Sequence, residues 1–397
     1  MPKLPLDGSA TQRHDRLRDP MRVDIAESIC DFSEQDWNRL AGDRYPFLKH
    51  QFLRVAESSG SVSTETGWSP RHIGLRNAKG KLIAAMPLYE KTHSWGEFVF
   101  DWSWAHAYEQ AGLQYYPKLV SAAPFTPATS RKLLAEEGEH GAALLDAARD
   151  LALECGSSSI HVLFPEESEL PALQEAGLKL RKDCQFHWHN RDYSGFDDFL
   201  ATFSSGKRKK VRRDRRHVAE QGISFRRYKG HEADPSVWKD AYDLISLTFL
   251  RRGSLPYFCL DFFLEISERL PDNLLIIIAE KDRLPIAAAI FFDTPNTLYG
   301  RYWGADSNYN ALHFETCYYQ GIDYCIEHKR QRFEPGTQGE HKVSRGFIPT
   351  CTWSAHWLAR PEFFSAVEKY LQAEGRHVDD YIDAVHKHSP YRQGERL

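Results

Sequence analysis

Residues 79–89 read K-G-K-L-I-A-A-M-P-L-Y, and residues 281–291 read K-D-R-L-P-I-A-A-A-I-F. Each opens with a polar turn and runs into an apolar strand-like stretch. Each also follows an earlier strand-like run, at 71–76 and 274–280. Paired runs joined by a short turn predict a β-hairpin, here made twice. The order of elements around the two hairpins is also shared. In the first half a helical pattern at 36–58 precedes the hairpin. Strand-like runs at 97–100 and 118–125 follow, with helices at 103–112 and 140–154, a strand at 159–164, a short helix at 168–176 and a strand at 178–189. In the second half helical patterns at 236–250 and 260–270 come first. A strand at 297–303, a helix at 312–329, strands at 332–335 and 351–358, and helices at 361–375 and 378–387 follow. The repeat predicts an α/β protein with mixed sheets (α+β), built as two similar domains at 22–190 and 223–397. A linker at 191–222 carries a helix from Phe196 to about Glu220, and residues 1–21 read as a flexible tail.

Composition narrows the class. A chain of 397 residues has room for two cores. With 42% hydrophobic and 27% charged residues it is globular rather than disordered. The net charge of −4 conceals an island: residues 207–216, K-R-K-K-V-R-R-D-R-R, carry +7 against −11 elsewhere. That is a local electrostatic device, not a general nucleic-acid composition. Seven scattered cysteines without a C-x-x-C pair argue against zinc and a disulfide framework, and predict a reducing, cytoplasmic setting. The polar start does not read as a signal peptide. No apolar run approaches the ~18 residues of a membrane span.

The densest chemistry lies at 333–347, F-E-P-G-T-Q-G-E-H-K-V-S-R-G-F. Glycines at 336, 339 and 346 bracket Glu340, His341, Lys342 and Arg345. A charged loop between regular elements is where binding groups tend to sit, although a polar surface turn has the same composition.

A helix and hairpin followed by strand, helix, strand and a last antiparallel strand resembles the layout of the GNAT acyltransferase domain. That fold offers a glycine-rich turn to a pyrophosphate at a helix N-terminus. In the first half the turn falls at 131–141, with Arg131, Gly138 and Gly141 as cofactor-binding candidates for a CoA-like donor. The equivalent second-half turn, 306–311, has no glycine. The chain as a whole resembles the FemAB-like family of predicted N-acyltransferases, relatives of the peptidoglycan aminoacyl ligases. The resemblance covers about residues 22–390 and rests on D-W-S-W-A-H-A-Y (101–108), Y-Y-P-K-L (115–119), P-F-T-P (124–127), Q-F-H-W (185–188), G-R-Y-W-G (300–304), L-H-F-E-T-C-Y-Y-Q-G-I (312–322) and G-T-Q-G-E-H-K-V-S-R-G-F (336–347). It implies two GNAT-like acyltransferase domains joined by the basic helix. It also implies transfer of an acyl or aminoacyl group, from acyl-CoA or aminoacyl-tRNA as co-substrate, to a small-molecule or peptide amine. The ligases' long helical tRNA arm is here a much shorter basic segment.

Direct acyl transfer needs a base and groups that stabilise an oxyanion, without a covalent intermediate or a tightly bound cofactor. Glu340 and His341 are the candidate bases. Glu315, near a helix start beside His313, is a third catalytic candidate. Lys342, Arg345 and Arg301 are the anion-binding candidates, and strand alternation places Arg301 and Trp303 on one face and Tyr302 on the other. Tyr116, Lys118, Gln185 and His187 are expected along the substrate cleft, and Trp102, Trp104 and Tyr108 in the core. Lys207, Arg208, Lys209 and Arg212 of the basic helix are phosphate-binding candidates, for CoA, tRNA or an anionic lipid head. A non-catalytic module that recognises a cell-wall precursor or an anionic surface is the alternative reading.

Overall fold

The computed structural model describes residues 21–337 and 339–392; the expected tail at 1–21 lies outside them save for Met21. Among the described residues fifteen strands run in chain order as β1 (Arg22–Ala26), β2 (Trp68–Pro70), β3 (His72–Arg76), β4 (Leu82–Met86), β5 (Tyr89–Lys91), β6 (Lys118–Ser121), β7 (Leu134–Ala135), β8 (Ser159–Leu163), β9 (Lys179–His189), β10 (Ile223–Lys229), β11 (Leu274–Lys281), β12 (Leu284–Asp293), β13 (Thr297–Ala305), β14 (Arg332–Glu334) and β15 (Ile348–Leu358). The two opening hairpins form where expected, as β3–β4 and β11–β12. In the second, Asp282 and Arg283 both take positive φ, of 51° and 65°, as a two-residue hairpin turn requires. Strands β11 and β12 are buried along most of their length. This is why they read as continuous apolar runs rather than alternating ones.

A small sheet has the order β1-β3-β4-β7, and an eleven-stranded sheet the order β10-β11-β12-β13-β14-β9-β15-β8-β6-β5-β2. The large sheet carries an exchange. Strand β9, the last of the first half, pairs with β14 of the second, and β15, the last of the chain, pairs with β8 of the first. Between them β9 and β15 run antiparallel from Ile348↔His187 to His356↔Lys179. The architecture is a mixed α/β arrangement in which each half carries a hairpin and the final strands are crossed over.

Several expected elements change. The run at 97–100 is irregular, because Gly96 and Phe98 both adopt positive φ. The helix expected at 36–58 divides into Glu34–Ala41 and His50–Ser58, and the linker helix into Phe196–Ala201 and Ser205–Glu220. The two C-terminal helices are one, Pro361–His386. In β13 the pairing skips a residue: Ile290 faces Tyr302 and Phe291 faces Gly300, leaving Arg301 as the bulge. Arg301 therefore lies over the rings of Phe47 and Tyr299, on the side where Tyr302 packs against Phe263. The alternation that paired Arg301 with Trp303 is overturned by this extra residue.

Candidate functional site

Strands β13 and β14 are parallel for only three pairs, Thr297↔Arg332 to Tyr299↔Glu334. Beyond them β13 continues to Ala305, while β14 ends before Pro335, which has no N–H to extend a ladder. The strands separate, and a cavity of about 680 Å³ fills the opening. Its second-half wall includes Arg301, Trp303, His313, Tyr318, His341 and Lys342, and the first half closes it with the segment from Ser94 to Trp102 and with Phe125. Aromatic side chains are prominent in the lining, among them Trp95, Phe125, Phe249, Tyr257 and Tyr302. Arg252, Arg301 and Lys342 supply its cations, and no Asp or Glu is among the described lining residues.

The bulge aims Arg301 into this space. Its Nη1 donates to the Gly300 carbonyl at 3.1 Å, while Nε and Nη2 are buried with no hydrogen-bond partner. A buried guanidinium with idle donors is costly unless a ligand meets it. Burial lowers its pKa, against the pull of nearby Glu334.

Lys342 is buried and donates from Nζ to the Gly336 carbonyl at 2.7 Å. Burial, then the Arg301 charge, brings its ammonium down to about 7. His341 makes a 2.9 Å hydrogen bond between Nε2 and the Tyr318 hydroxyl. Partial burial and the cations of Arg345 and Lys342 hold its pKa below the ordinary value, so the imidazole is neutral and can accept a proton at neutral pH. Gly339, with φ of 120°, makes room for that ring: a Cβ there would lie 2.4 Å from His341 Cε1. His313 is lowered to about 4, by burial first and then by His341.

Of the expected site residues, the structure brings His341, Lys342 and Arg301 together. Glu340 points into a neighbouring groove with Asp183, where it accepts from the Tyr381 hydroxyl at 3.1 Å. Glu315 and Arg345 lie behind the wall. Glu315 pairs with Arg215 at 3.1 Å and accepts from Gln320 at 2.8 Å, and burial pushes its carboxyl pKa up. Arg345 donates to the His341 carbonyl at 2.6 Å, lies 3.5 Å from Asp214 and stacks on Phe314. These contacts tie the turn at 340–345 to the basic helix and leave Arg345 no direct route to the cavity.

In the first half, Lys118 is enclosed by Ser94, Glu97 and Asp101, and Tyr116 bonds Ser94 at 2.9 Å. Gln185 donates to the Pro127 carbonyl at 3.0 Å, and His187 faces a different groove with His189 and Arg332. Arg131 donates to the carbonyls of Leu133 and Ala135 in its own turn. Gly138 and Gly141 open the helix Gly138–Glu154, whose start is flanked by Glu137 and Glu139. Those carboxylates repel a pyrophosphate, and none of the three candidates lines the cavity. On the helix Ser205–Glu220, Arg212 pairs with Asp197 at 2.8 Å. Lys207 and Arg208 are half-buried. Lys209, Lys210 and Arg213 are exposed, with no ion pair among the described residues.

Sequence reasoning missed Tyr318, Arg252 and the rim at 94–102. Trp102, expected in the core with Trp104 and Tyr108, is 41% exposed at the cavity mouth, while the other two are buried. Tyr318 reaches His341 because residues 315–319 form a π-turn, which periodicity does not reveal.

The family model FemAB-like, described as peptidoglycan biosynthesis/recognition, matches residues 28–393. Among solved structures, FemX aligns at 12% identity over 85% of this chain and 98% of its own, with a TM-score of 0.54. The C-terminal DUF2156 domain of an Agrobacterium fabrum protein assigned to the lysylphosphatidylglycerol synthetases aligns at 10% identity over 87% and 97%, also with a TM-score of 0.54. No curated protein sequence matches the chain. Among the described residues no helix is long and apolar enough to cross a membrane.

Proposed function

The chain belongs to the FemAB-like family of peptidoglycan biosynthesis/recognition proteins, and from that premise we propose that it transfers an acyl or aminoacyl group from an activated donor to an amine. The observation that carries the reading is the carboxylate-free cavity in which Arg301, Lys342 and the His341–Tyr318 pair converge. The amine nitrogen forms a bond to the acyl carbon, and the bond from that carbon to the ester oxygen or thioester sulfur breaks. His341 takes the amine proton, directly or through the Tyr318 hydroxyl, and the same proton neutralises the leaving alkoxide or thiolate. Arg301 and the protonated fraction of Lys342 stabilise the oxyanion that forms between these events. The groove on the other side of Gly339 carries Glu340 and Asp183 and suits the approach of a cationic amine. The exposed cations Lys209, Lys210 and Arg213 suit the phosphates of aminoacyl-tRNA, CoA or a lipid head as a dock outside the cavity.

The test is single-turnover transfer of labelled acyl groups from acetyl-CoA and from a charged tRNA pool to a lysine-containing cell-wall pentapeptide. One donor should give product. His341→Gln should lower its rate by about 100-fold or more, while Glu340→Gln chiefly raises KM for the amine. A folded protein that binds the pentapeptide yet transfers from neither donor would be a recognition module instead. Full turnover by His341→Gln would remove the base assignment.

A further inference from the structure

The rim of the cavity is unusually apolar for a surface. Trp95, Phe100 and Trp102 are 65%, 55% and 41% exposed, and the Trp95 and Trp102 rings lie 5.3 Å apart. All three line the same cavity as Arg301 and Lys342. Exposed aromatics gathered at the mouth of a cleft mark a binding surface more often than a folding accident. The segment that bears them has no ladder of its own between β5 and the helix beginning at Trp102. It is held instead by cations: Lys91 Nζ donates to the Trp95 carbonyl at 3.4 Å and Arg181 Nη1 to the Phe100 carbonyl at 2.8 Å, while buried Lys118 binds its side chains. Lys118 Nζ donates to Ser94 Oγ at 2.8 Å, to Glu97 Oε2 at 2.8 Å and to Asp101 Oδ2 at 2.5 Å. All three acceptors belong to the rim segment, and Lys118, Glu97 and Asp101 are buried. Asp101 also accepts from the Tyr115 hydroxyl at 2.7 Å, which anchors the cluster behind β6. Burying an ion cluster of this kind is a poor way to gain stability, and its geometry has one mechanical result: it fixes where the aromatic rim stands.

We propose that the rim Trp95–Phe100–Trp102 is an apolar subsite, seated by Lys118 as a positioning residue, that takes the hydrocarbon part of a substrate whose anionic end lies on Arg301. This rests on the reading of the cavity as the substrate site and narrows its substrate to an amphiphilic anion. Charge complementarity selects the occupant. The interior offers guanidinium and ammonium groups without a described carboxylate, the mouth offers indole and phenyl faces, and a straight-chain carboxylate satisfies both at once.

The experiment is calorimetric titration of the full chain with butyrate, octanoate and dodecanoate below their micellar concentrations. Affinity should rise about fourfold per added methylene once the chain reaches the rim. Trp95→Ala/Trp102→Ala should flatten that increment. Arg301→Gln should weaken all three ligands by a similar factor and leave the increment unchanged. Lys118→Met should flatten the increment and speed amide hydrogen exchange across residues 94–101. Should it fail to fold, Glu97→Gln/Asp101→Asn/Lys118→Met removes the Lys118 cation together with both of its carboxylate partners. No binding, affinity independent of chain length, or an unchanged increment in a folded double-tryptophan variant would each overturn the subsite. A dimer that the double-tryptophan variant dissolves, with a flat increment throughout, would place a second copy on the rim instead. The readout needs no turnover: intact alkanoate binding without transfer would sink the proposed reaction and spare the subsite, and the reverse would sink the subsite alone.

Discussion

Lys342 concentrates the conflict between stability and chemistry at a single residue. It is buried, its one hydrogen bond goes to a carbonyl, and Arg301 adds a second positive charge nearby. Its folded pKa, about 7, lies below the 10.5 of an unstrained lysine. Between those values the unfolded chain holds a proton that the folded chain has released. The unfolded state binds more protons, so stability rises with pH across this window. Below pH 7 both states are protonated and the full penalty remains, at ~1.4 kcal/mol for each unit of difference. Lys342→Met should therefore stabilise the protein at pH 6.5 by about 2 kcal/mol. The difference from the parent chain should shrink as pH approaches 10. Urea unfolding of both proteins at pH 6.5, 8 and 10 measures it, and a variant less stable at pH 6.5 would mean that Lys342 has a structural partner. A residue that lowers stability in its resting state is retained where its charge or its lone pair is used, and this one lies in the wall of the cavity.

At the scale of the element, the basic helix separates into two sets of cations. Arg215 faces inward, 3.1 Å from Glu315 and 2.7 Å from Asp323, with its guanidinium over Phe196. Lys209, Lys210 and Arg213 face outward. Arg215→Gln leaves a nearly buried carboxylate at Glu315 and should cost about 3 kcal/mol. Neutralising Lys209, Lys210 and Arg213 together should change stability by less than about 0.5 kcal/mol, while lowering affinity for a phosphate-bearing donor and its salt dependence. Thermal melts and a salt titration of donor binding separate the sets. Equal destabilisation by both would make the helix purely structural. The sequence exposed the density of this charge but not its division, because which residues face inward depends on where Val211 and Val218 meet the core. The same limit applies elsewhere. Both hairpins were legible because a polar turn between apolar runs is a local signal. His341 and Lys342 were legible from charge between glycines. The bulge that turns Arg301, the π-turn that delivers Tyr318 and the positive φ of Phe98 that bends the rim are set by tertiary pairing, and they leave no period in the sequence.

At the scale of the molecule, the two halves repeat in sequence yet do not close separately in space. Strand β9 completes the sheet of the second half and β15 that of the first. The main core is shared as well: Phe47 and Phe52 of the first half meet Phe292, Phe258 and Phe262 of the second, with the Phe47 and Phe292 ring centroids 4.8 Å apart. A half expressed alone would expose a long strand edge and an aromatic face, both of which favour aggregation. Residues 22–222 and 223–397, produced separately, should therefore lack a cooperative melt. Produced together, they should copurify and recover one. In the intact chain, far-ultraviolet dichroism and tryptophan fluorescence should report a single transition with coincident midpoints, despite a length at which separate domains commonly unfold in steps. A first half that melted cooperatively by itself, near the midpoint of the whole, would show that the exchanged strands are ornamental to stability. Otherwise the exchange makes the cavity obligatory: its two walls come from opposite halves, so neither half can fold without building the site.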